Sequence, residues 1–569
     1  MTETPRPRAA LDRPIDRATF LRALAAAGVG AVVGPQLLAG EAAAVPASRI
    51  SPFSLRFSIT DQFRPFDLVA PEFVQVRQRF AGGVAARYAE SAPAASEGDA
   101  TVAAEAGSLA VAGQGSFASL FRTGVRPEAP FASVIVDVAA APESSGGEAA
   151  VLVGMVGAPG ESVVASFDAG ADPAAGTVSI DVTVGGVTTR AATATADLSG
   201  GPLRLAFVLN ENYVTALVGR VGAFVPIVQS RVTELVDFRD PAVLRRYSYG
   251  FGGRGDGAVV TLDGLEAGYY GQAGLRDLHV VQYADGTPYI VDGKLYVTAT
   301  NAGLAFFQAA HFGVWTLDLA DTSRIEQVAN IFFERDGLRL GDHAGQIVVD
   351  DDGGYHVAVS SWGDFDFAGV QVRYVKTFEE VLAGVHVLAT ERLPLPTDVS
   401  SWDPSMTRID GRWYVAFVES PYQDPVLGFD FRPALARSRP GGEITELARV
   451  GADLTRGETE GVILQKIGDR WWLLASDGDD RMYRVYDLRV RFRGRLDAPY
   501  GTNIPHPQIV PIPDRGSTYY LLITFNGTQY YEPVLGYGTH GDVIVMRADR
   551  ERDGYEFAPR DPADVPDGE

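Results

Sequence analysis

From Ser51 onward, apolar and polar residues alternate in short runs. Examples are Phe131-Ala-Ser-Val-Ile-Val-Asp-Val138, Ala150-Val-Leu-Val-Gly-Met-Val156 and Gly176-Thr-Val-Ser-Ile-Asp-Val-Thr-Val184. Leu203-Arg-Leu-Ala-Phe-Val-Leu209 and Tyr213-Val-Thr-Ala-Leu-Val218 continue the pattern. Alternation with a period of two puts successive side chains on opposite faces of a strand. Gly, Pro and Asp break the runs about every dozen residues, as in an antiparallel sandwich. The pair Gly185-Gly186 between two such runs predicts a hairpin.

A longer period appears after residue 270. A polar or charged residue opens an apolar strand, a Gly/Asp turn follows, and an aromatic strand returns. The openings are Arg276-Asp277-Leu278, Asp342-His343-Ala344, Trp402-Asp403-Pro404, Glu458-Thr459-Glu460-Gly461 and Pro505-His506-Pro507. Asp277, Asp342, Asp403, Glu460 and His506 lie 65, 61, 57 and 46 residues apart in turn. Such spacings suit four-stranded sheets with variable loops, and five openings predict a five-bladed β-propeller. The chain is therefore predicted to be all-β: a jelly-roll-like sandwich over 48–268, then a propeller over 269–560, with 561–569 as a disordered tail.

Composition narrows the function. Lys and Arg number 49 against 72 Asp and Glu, a formal charge of −23. Phosphate-backbone binding needs a basic face, so a nucleic-acid partner is not expected. An anionic membrane surface is disfavoured for the same reason, and neutral glycans stay open. With no cysteine in the chain, thiol catalysis, disulfides and Cys-based zinc sites are excluded. No Gly-x-Ser-x-Gly elbow, phosphate-binding Gly loop or His-x-x-x-His zinc spacing is visible.

Residues 1–47 read as an export signal. Arg6, Arg8, Arg13, Arg17 and Arg22 precede an apolar run from Ala23 to Gly40, and small residues follow at Ala42-Ala43-Ala44 and Val45-Pro46-Ala47. Asp16-Arg17-Ala18-Thr19-Phe20-Leu21-Arg22 resembles a twin-arginine signal in which Ala18 replaces the second arginine. The expectation is a secreted or cell-surface protein with no membrane span after processing.

Acids at the blade openings carry the candidate chemistry. The first strand of every blade lines the central channel, so Asp277, Asp403 and Glu460 are expected to converge at one mouth. Glycosidic cleavage needs one carboxyl protonated, to supply the leaving oxygen, and one ionised, to activate water or attack the sugar. A third carboxylate nearby raises the pKa of the acid. In this arrangement the repeat resembles glycoside hydrolase family 43, the five-bladed arabinanases, arabinofuranosidases and xylosidases. That resemblance implies Asp277 as base, Asp403 as pKa tuner, Glu460 as acid, and inversion at the sugar carbon. It covers residues 270–560. The chain departs from the family at Leu278 and Val462, where proline is usual.

Around these acids, Arg276, Asp342, His343, Trp362, Trp402 and His506 are expected to bind substrate. Asp342 reads either as structural or as a hydrogen bonder to sugar. Trp362 and Trp402 would stack on sugar rings, while Trp471-Trp472 reads as core. His343 and His506 read equally as buried histidines bonded to backbone. No cofactor is required, although His506 resembles the arabinanase histidine near an axial metal or halide, which leaves a structural Ca²⁺ on the axis open. Tyr247 to Tyr269 resembles the closing strands of a concanavalin-like jelly roll, which implies either carbohydrate binding or packing against the catalytic unit. Arg254-Gly255-Asp256 reads as a Gly-rich turn. The leading expectation is an exported hydrolase of arabinan- or arabinogalactan-type glycans. The alternatives are a non-catalytic glycan-binding surface protein and a fructan-active or other propeller enzyme, although the Trp-x-Asn-Asp-Pro-like motif of fructan-active relatives is absent from the first blade.

Overall fold

The structure is a computed structural model that describes residues 50–549 except 66–68, 70–72, 106, 145–146, 221–222, 367–368, 422–429, 502–503, 515–516 and 528–540. The export signal and the tail at 561–569 lie outside the described residues. The protein is all-β, with short helices at Gly83–Glu90 and Pro241–Leu244. Among the described residues no helix is long and apolar enough to cross a membrane.

The N-terminal half holds two large antiparallel sheets. The six-stranded sheet is centred on Leu203–Asn210, Phe131–Val138 and Gly264–Tyr269, and the seven-stranded sheet on Ser162–Asp168, Ala149–Val156 and Ser248–Asp256. Val134, Val136, Leu205 and Phe207 from the first meet Val151, Val153, Val163 and Val178 from the second in one core. Fully burying each such side chain contributes about 1.5–3 kcal/mol. Val184 pairs with Val187 across Gly185 and Gly186, both at positive φ (59° and 79°), the backbone a two-residue hairpin of this hand requires. Arg254 departs from the sequence reading: it lies within the strand Ser248–Asp256, and its guanidinium meets Glu148 at 2.8 Å and Asp181 at 3.4 Å.

In the C-terminal half, five sheets succeed one another. They open with Leu275–Val280, His343–Val349, Ser400–Ile409, Thr459–Ile467 and Gln508–Asp514. Each opening strand packs against the next, and the fifth packs against the first. Five separate cores fill the gaps. Val462 and Leu464 of the fourth opening strand face Tyr414 and Val418 of the third sheet, whereas Ile463 and Ile467 face Ile509 and Leu522 of the fifth. With both faces covered, these strands read as continuous apolar runs rather than alternating ones. The same accounting joins the first sheet to the second through Phe312, Ile331 and Ile347, and to the fifth through Leu295, Val510 and Val543.

Two placements revise the sequence reading. Strand Arg56–Phe63, assigned by pattern to the N-terminal unit, instead pairs antiparallel with Asp542–Asp549 and completes the fifth sheet. The second opening also shifts by one residue. Arg276, His343, Trp402 and Glu460 each begin a β-bulge, and the residues that follow them, Asp277, Ala344, Asp403 and Gly461, all sit at positive φ between 50° and 62°. Asp277 is thus equivalent to Asp403, Ala344 and Gly461. Glu460 precedes that position by one residue and Asp342 by two. A bulge re-aims side chains, so equal spacing in sequence does not mean equal direction in space.

Candidate active site

The bulges bring three sequence-predicted acids to one end of the ring. His506 Nε2 stands 3.6 Å from Asp277 Oδ1 and 3.5 Å from Asp403 Oδ2. One ligand atom each from Asp403, Glu460 and His506 lies within 4.8 Å of the others. Asp277 and Asp403 are buried, while Glu460 remains partly exposed.

Neighbouring strands hold each group. Gly461 N–H donates to Asp403 Oδ2 at 3.1 Å, and Asp403 N–H donates to Ser360 Oγ at 3.0 Å. Trp402 Nε1–H donates to Glu460 Oε1 at 3.0 Å. His506 lies flat against Gly461, where a Cβ would stand 2.3 Å from its Cδ2, so the glycine serves both the turn and the contact. Deeper in the ring, Met406 N–H donates to Gln346 Oε1, Leu464 N–H to Ser405 Oγ, and Val280 N–H to Gln508 Oε1. In each case a backbone donor of one sheet is satisfied by a side chain of its neighbour, which fixes sheet against sheet. The far end of the axis is crossed by the loop after the first strand: Gln282 Nε2 donates to Met406 O, and Gly286 packs on Trp471 of the fourth sheet.

Burial acts on two of the acids in the same direction. Burial pushes the Glu460 carboxyl up to about 8, with the charges of Asp277 and Glu458 adding to it and the Trp402 hydrogen bond and Arg276 opposing. Asp403 is also held well above the ordinary carboxylate range, by burial first and then by Glu460 and Asp277, against the Gly461 N–H and Arg276. Burial lowers His506 to about 4, so its ring is neutral near pH 7.

The remaining predicted residues divide. Arg276 is buried with its guanidinium 4.9 Å from the Phe525 ring centroid, and its charge is felt at Asp403, Glu460 and His506. Trp362 is half-buried and stacks on His343 with ring centroids 6.4 Å apart. His343 is buried, with Nε2 3.1 Å from Phe307 O, and so forms a wall rather than a free ligand. Trp402 is 1% exposed, which leaves no face for a sugar; its indole N–H orients Glu460 instead. Asp342 is fully buried and clamped by Arg335 at 2.6 and 2.9 Å, a structural role that leaves it no freedom to bind substrate. Asp403, Glu460 and His506 offer two carboxylates and an imidazole within reach of one ion, and Ca²⁺ would need further oxygen ligands beside them.

Sequence reasoning missed Ser360 as a contributor, whereas Gly461 belonged to the Glu460-Gly461 motif and Glu458 stood as a competitor to Glu460. Glu458 was visible two residues before Glu460, a separation that returns a side chain to the same face of an extended chain. Burial and the charges of Asp479 and Asp477 raise it to about 7.

No known family profile matches the chain, and no curated protein matches it. Among solved structures, levansucrase from Bacillus subtilis is 10% identical, covering 50% of this chain and 89% of that one with a TM-score of 0.36. A variant of B. megaterium levansucrase is 9% identical, covering 49% of this chain and 85% of that one with a TM-score of 0.36. At such scores the architecture rests on the chain's own sheets and register.

Proposed function

We propose that this protein is a glycoside hydrolase in which a β-sandwich, residues 48–268, precedes a five-bladed β-propeller over 269–560 that recruits strand 56–63. Its substrate class is furanose- or pentose-containing glycan of arabinan or arabinogalactan type, and the N-terminal 47 residues export it by a twin-arginine-type route. One observation carries the catalytic reading: Asp277, Asp403 and Glu460 gather around His506 at a single mouth.

Glu460 keeps its proton at neutral pH and gives it to the departing glycosidic oxygen, with Trp402 fixing the carboxyl's direction. Asp277 takes the proton of an attacking water as that water bonds to the anomeric carbon, and so inverts it. Asp403, tied to Gly461 and His506, is the third carboxyl of the mouth. Inversion calls for a water between carboxyls about 6.5–9.5 Å apart, whereas direct attack by Asp277 would retain configuration.

The test is incubation of purified protein with arabinan, arabinogalactan, xylan and levan, with sizing of products. Asp277→Asn and Glu460→Gln are each expected to slow release by roughly 10²–10⁴-fold while remaining folded. Full activity in both variants, or release from none of the glycans, overturns the reading.

A further inference from the structure

The turn Asn210-Glu211-Asn212 joins two strands of the N-terminal six-stranded sheet and is driven into the side of the C-terminal ring. All three residues are at most 2% exposed. Asn210 Oδ1 accepts from Leu304 N–H, Glu211 N–H donates to Pro130 O at 2.7 Å, and Asn212 bonds Asp237 and Phe238. Glu211 itself has φ 55°, a conformation that favours glycine, so its retention there is strained. Its Oε1 is buried without a hydrogen-bond partner among the described residues.

That carboxyl meets the second sheet at Gly363. A Cβ on Gly363 would stand 2.8 Å from Leu340 Cβ, 3.0 Å from Asp342 Oδ1 and 3.1 Å from Glu211 Oε1, so Leu340 and two carboxyls crowd one glycine. The cations nearby are already engaged. Arg335 holds Asp342 at 2.6 and 2.9 Å and Asp364 at 2.5 Å, with Asp336 on its outer side, and Arg239 holds both oxygens of Asp237 at 2.9 Å. Gly363 N–H in turn donates to Asp342 Oδ1 at 2.9 Å. Next to Gly363 is Trp362, whose ring lies 5.8 Å from that of Trp402, the residue that orients Glu460. A line of direct contacts thus runs from the N-terminal hairpin to the acid.

We propose that Glu211 is a positioning residue of the mouth: the N-terminal sheet pair uses it to hold the Trp362-Gly363 wall in place, and ionisation of its carboxyl releases that wall. This rests on the glycosidase reading for its functional consequence, not for its structural one. A neutral carboxyl can lie beside that of Asp342 at Gly363. An anion there adds an uncompensated buried charge beside two others. Burial, with Asp342 and Asp364 opposing Arg239 and Arg335, holds its pKa well above the ordinary range. The assembly is therefore tight at acidic pH and loosens as pH rises.

Full-length wild type, Glu211→Gln and Gly363→Ala are compared by hydrogen exchange over residues 361–365 at pH 6 and pH 9, each pair at the same pH. Wild type is expected to exchange faster than Glu211→Gln at pH 9 and equally at pH 6. Gly363→Ala, which forces a methyl onto Leu340 Cβ and the two oxygens, is expected to exchange faster already at pH 6. On the glycan turned over, KM of wild type is expected to rise about fivefold relative to Glu211→Gln between those pH values, with the kcat ratio unchanged. Superimposed wild-type and Glu211→Gln exchange at pH 9, or protection in Gly363→Ala equal to wild type, refutes the positioning role. A protein that turns over no glycan but shows the exchange difference refutes the glycosidase reading alone.

Discussion

At the scale of single residues, Glu460 is the group whose environment departs furthest from its ordinary chemistry while remaining open to the mouth. Its carboxyl keeps a proton up to about pH 8, so kcat/KM is expected to fall along an alkaline limb near that pH, measurable as a pH–rate profile. The folded pKa lies above the ordinary 4.5. The contribution of this group to stability is thus complete below about pH 4.5 and is lost as pH rises through about 8. Glu460→Gln is therefore expected to melt at the same temperature as wild type near pH 4 and at a higher one at pH 9, while losing roughly 10²–10⁴-fold in rate. Equal melting temperatures at pH 9 would show that burial does not penalise its anion. Trp402→Phe removes the donor that favours the anion. The alkaline limb of that variant should move to higher pH while kcat drops; a limb moving downward would contradict the assigned bond.

At the scale of elements, the repeated bulge is the device that makes the site. Four opening strands place one residue at positive φ, and only the fourth uses glycine there. Holding a non-glycine residue in that region costs about 1–2 kcal/mol, less for Asp. Asp277 and Asp403 bear this cost because the bulge turns their carboxylates toward His506. Ala344 bears it with no charged group to aim. Ala344→Gly is expected to stabilise the protein by about 0.5–1 kcal/mol once the chain entropy of glycine is deducted, seen as a raised denaturation midpoint with unaltered activity. A lowered midpoint would mean that the alanine methyl packs usefully. The bulge also explains what the sequence could show. Asp277 and Asp403 were legible because both occupy the same repeat position. Asp342, open in sequence to a structural or a sugar-binding reading, falls two places earlier, where Arg335 claims it.

At the scale of the whole molecule, the outer strand of the fifth sheet comes from the other half of the chain. Arg56–Phe63 lies against Asp542–Asp549, with Phe57 buried in the core between the fourth and fifth sheets. A chain beginning at Arg64 is expected to lose several kcal/mol relative to one beginning at Ile50, from the burial of Leu55 and Phe57 and the paired edge together. Chemical denaturation of the two proteins checks this, and identical midpoints would show that the ring closes without the strand. The N-terminal half thus meets the ring through this strand, through the Glu211 hairpin, and through contacts such as Phe131 on Phe332 and Arg339 on Glu128.

The sequence alone determined the all-β character, because period-two alternation and Gly/Asp turns are local properties of the backbone. It also determined five strand openings and the three acids at three of them, because the repeat marks each opening with a polar residue before an apolar run. Tertiary structure decided the rest. Whether Trp402 faces a sugar or Glu460, whether Asp342 is free or clamped, and where Arg56–Phe63 pairs all depend on partners tens to hundreds of residues away. A single inserted residue in a strand reverses the face on which a side chain emerges, and no local pattern records that reversal.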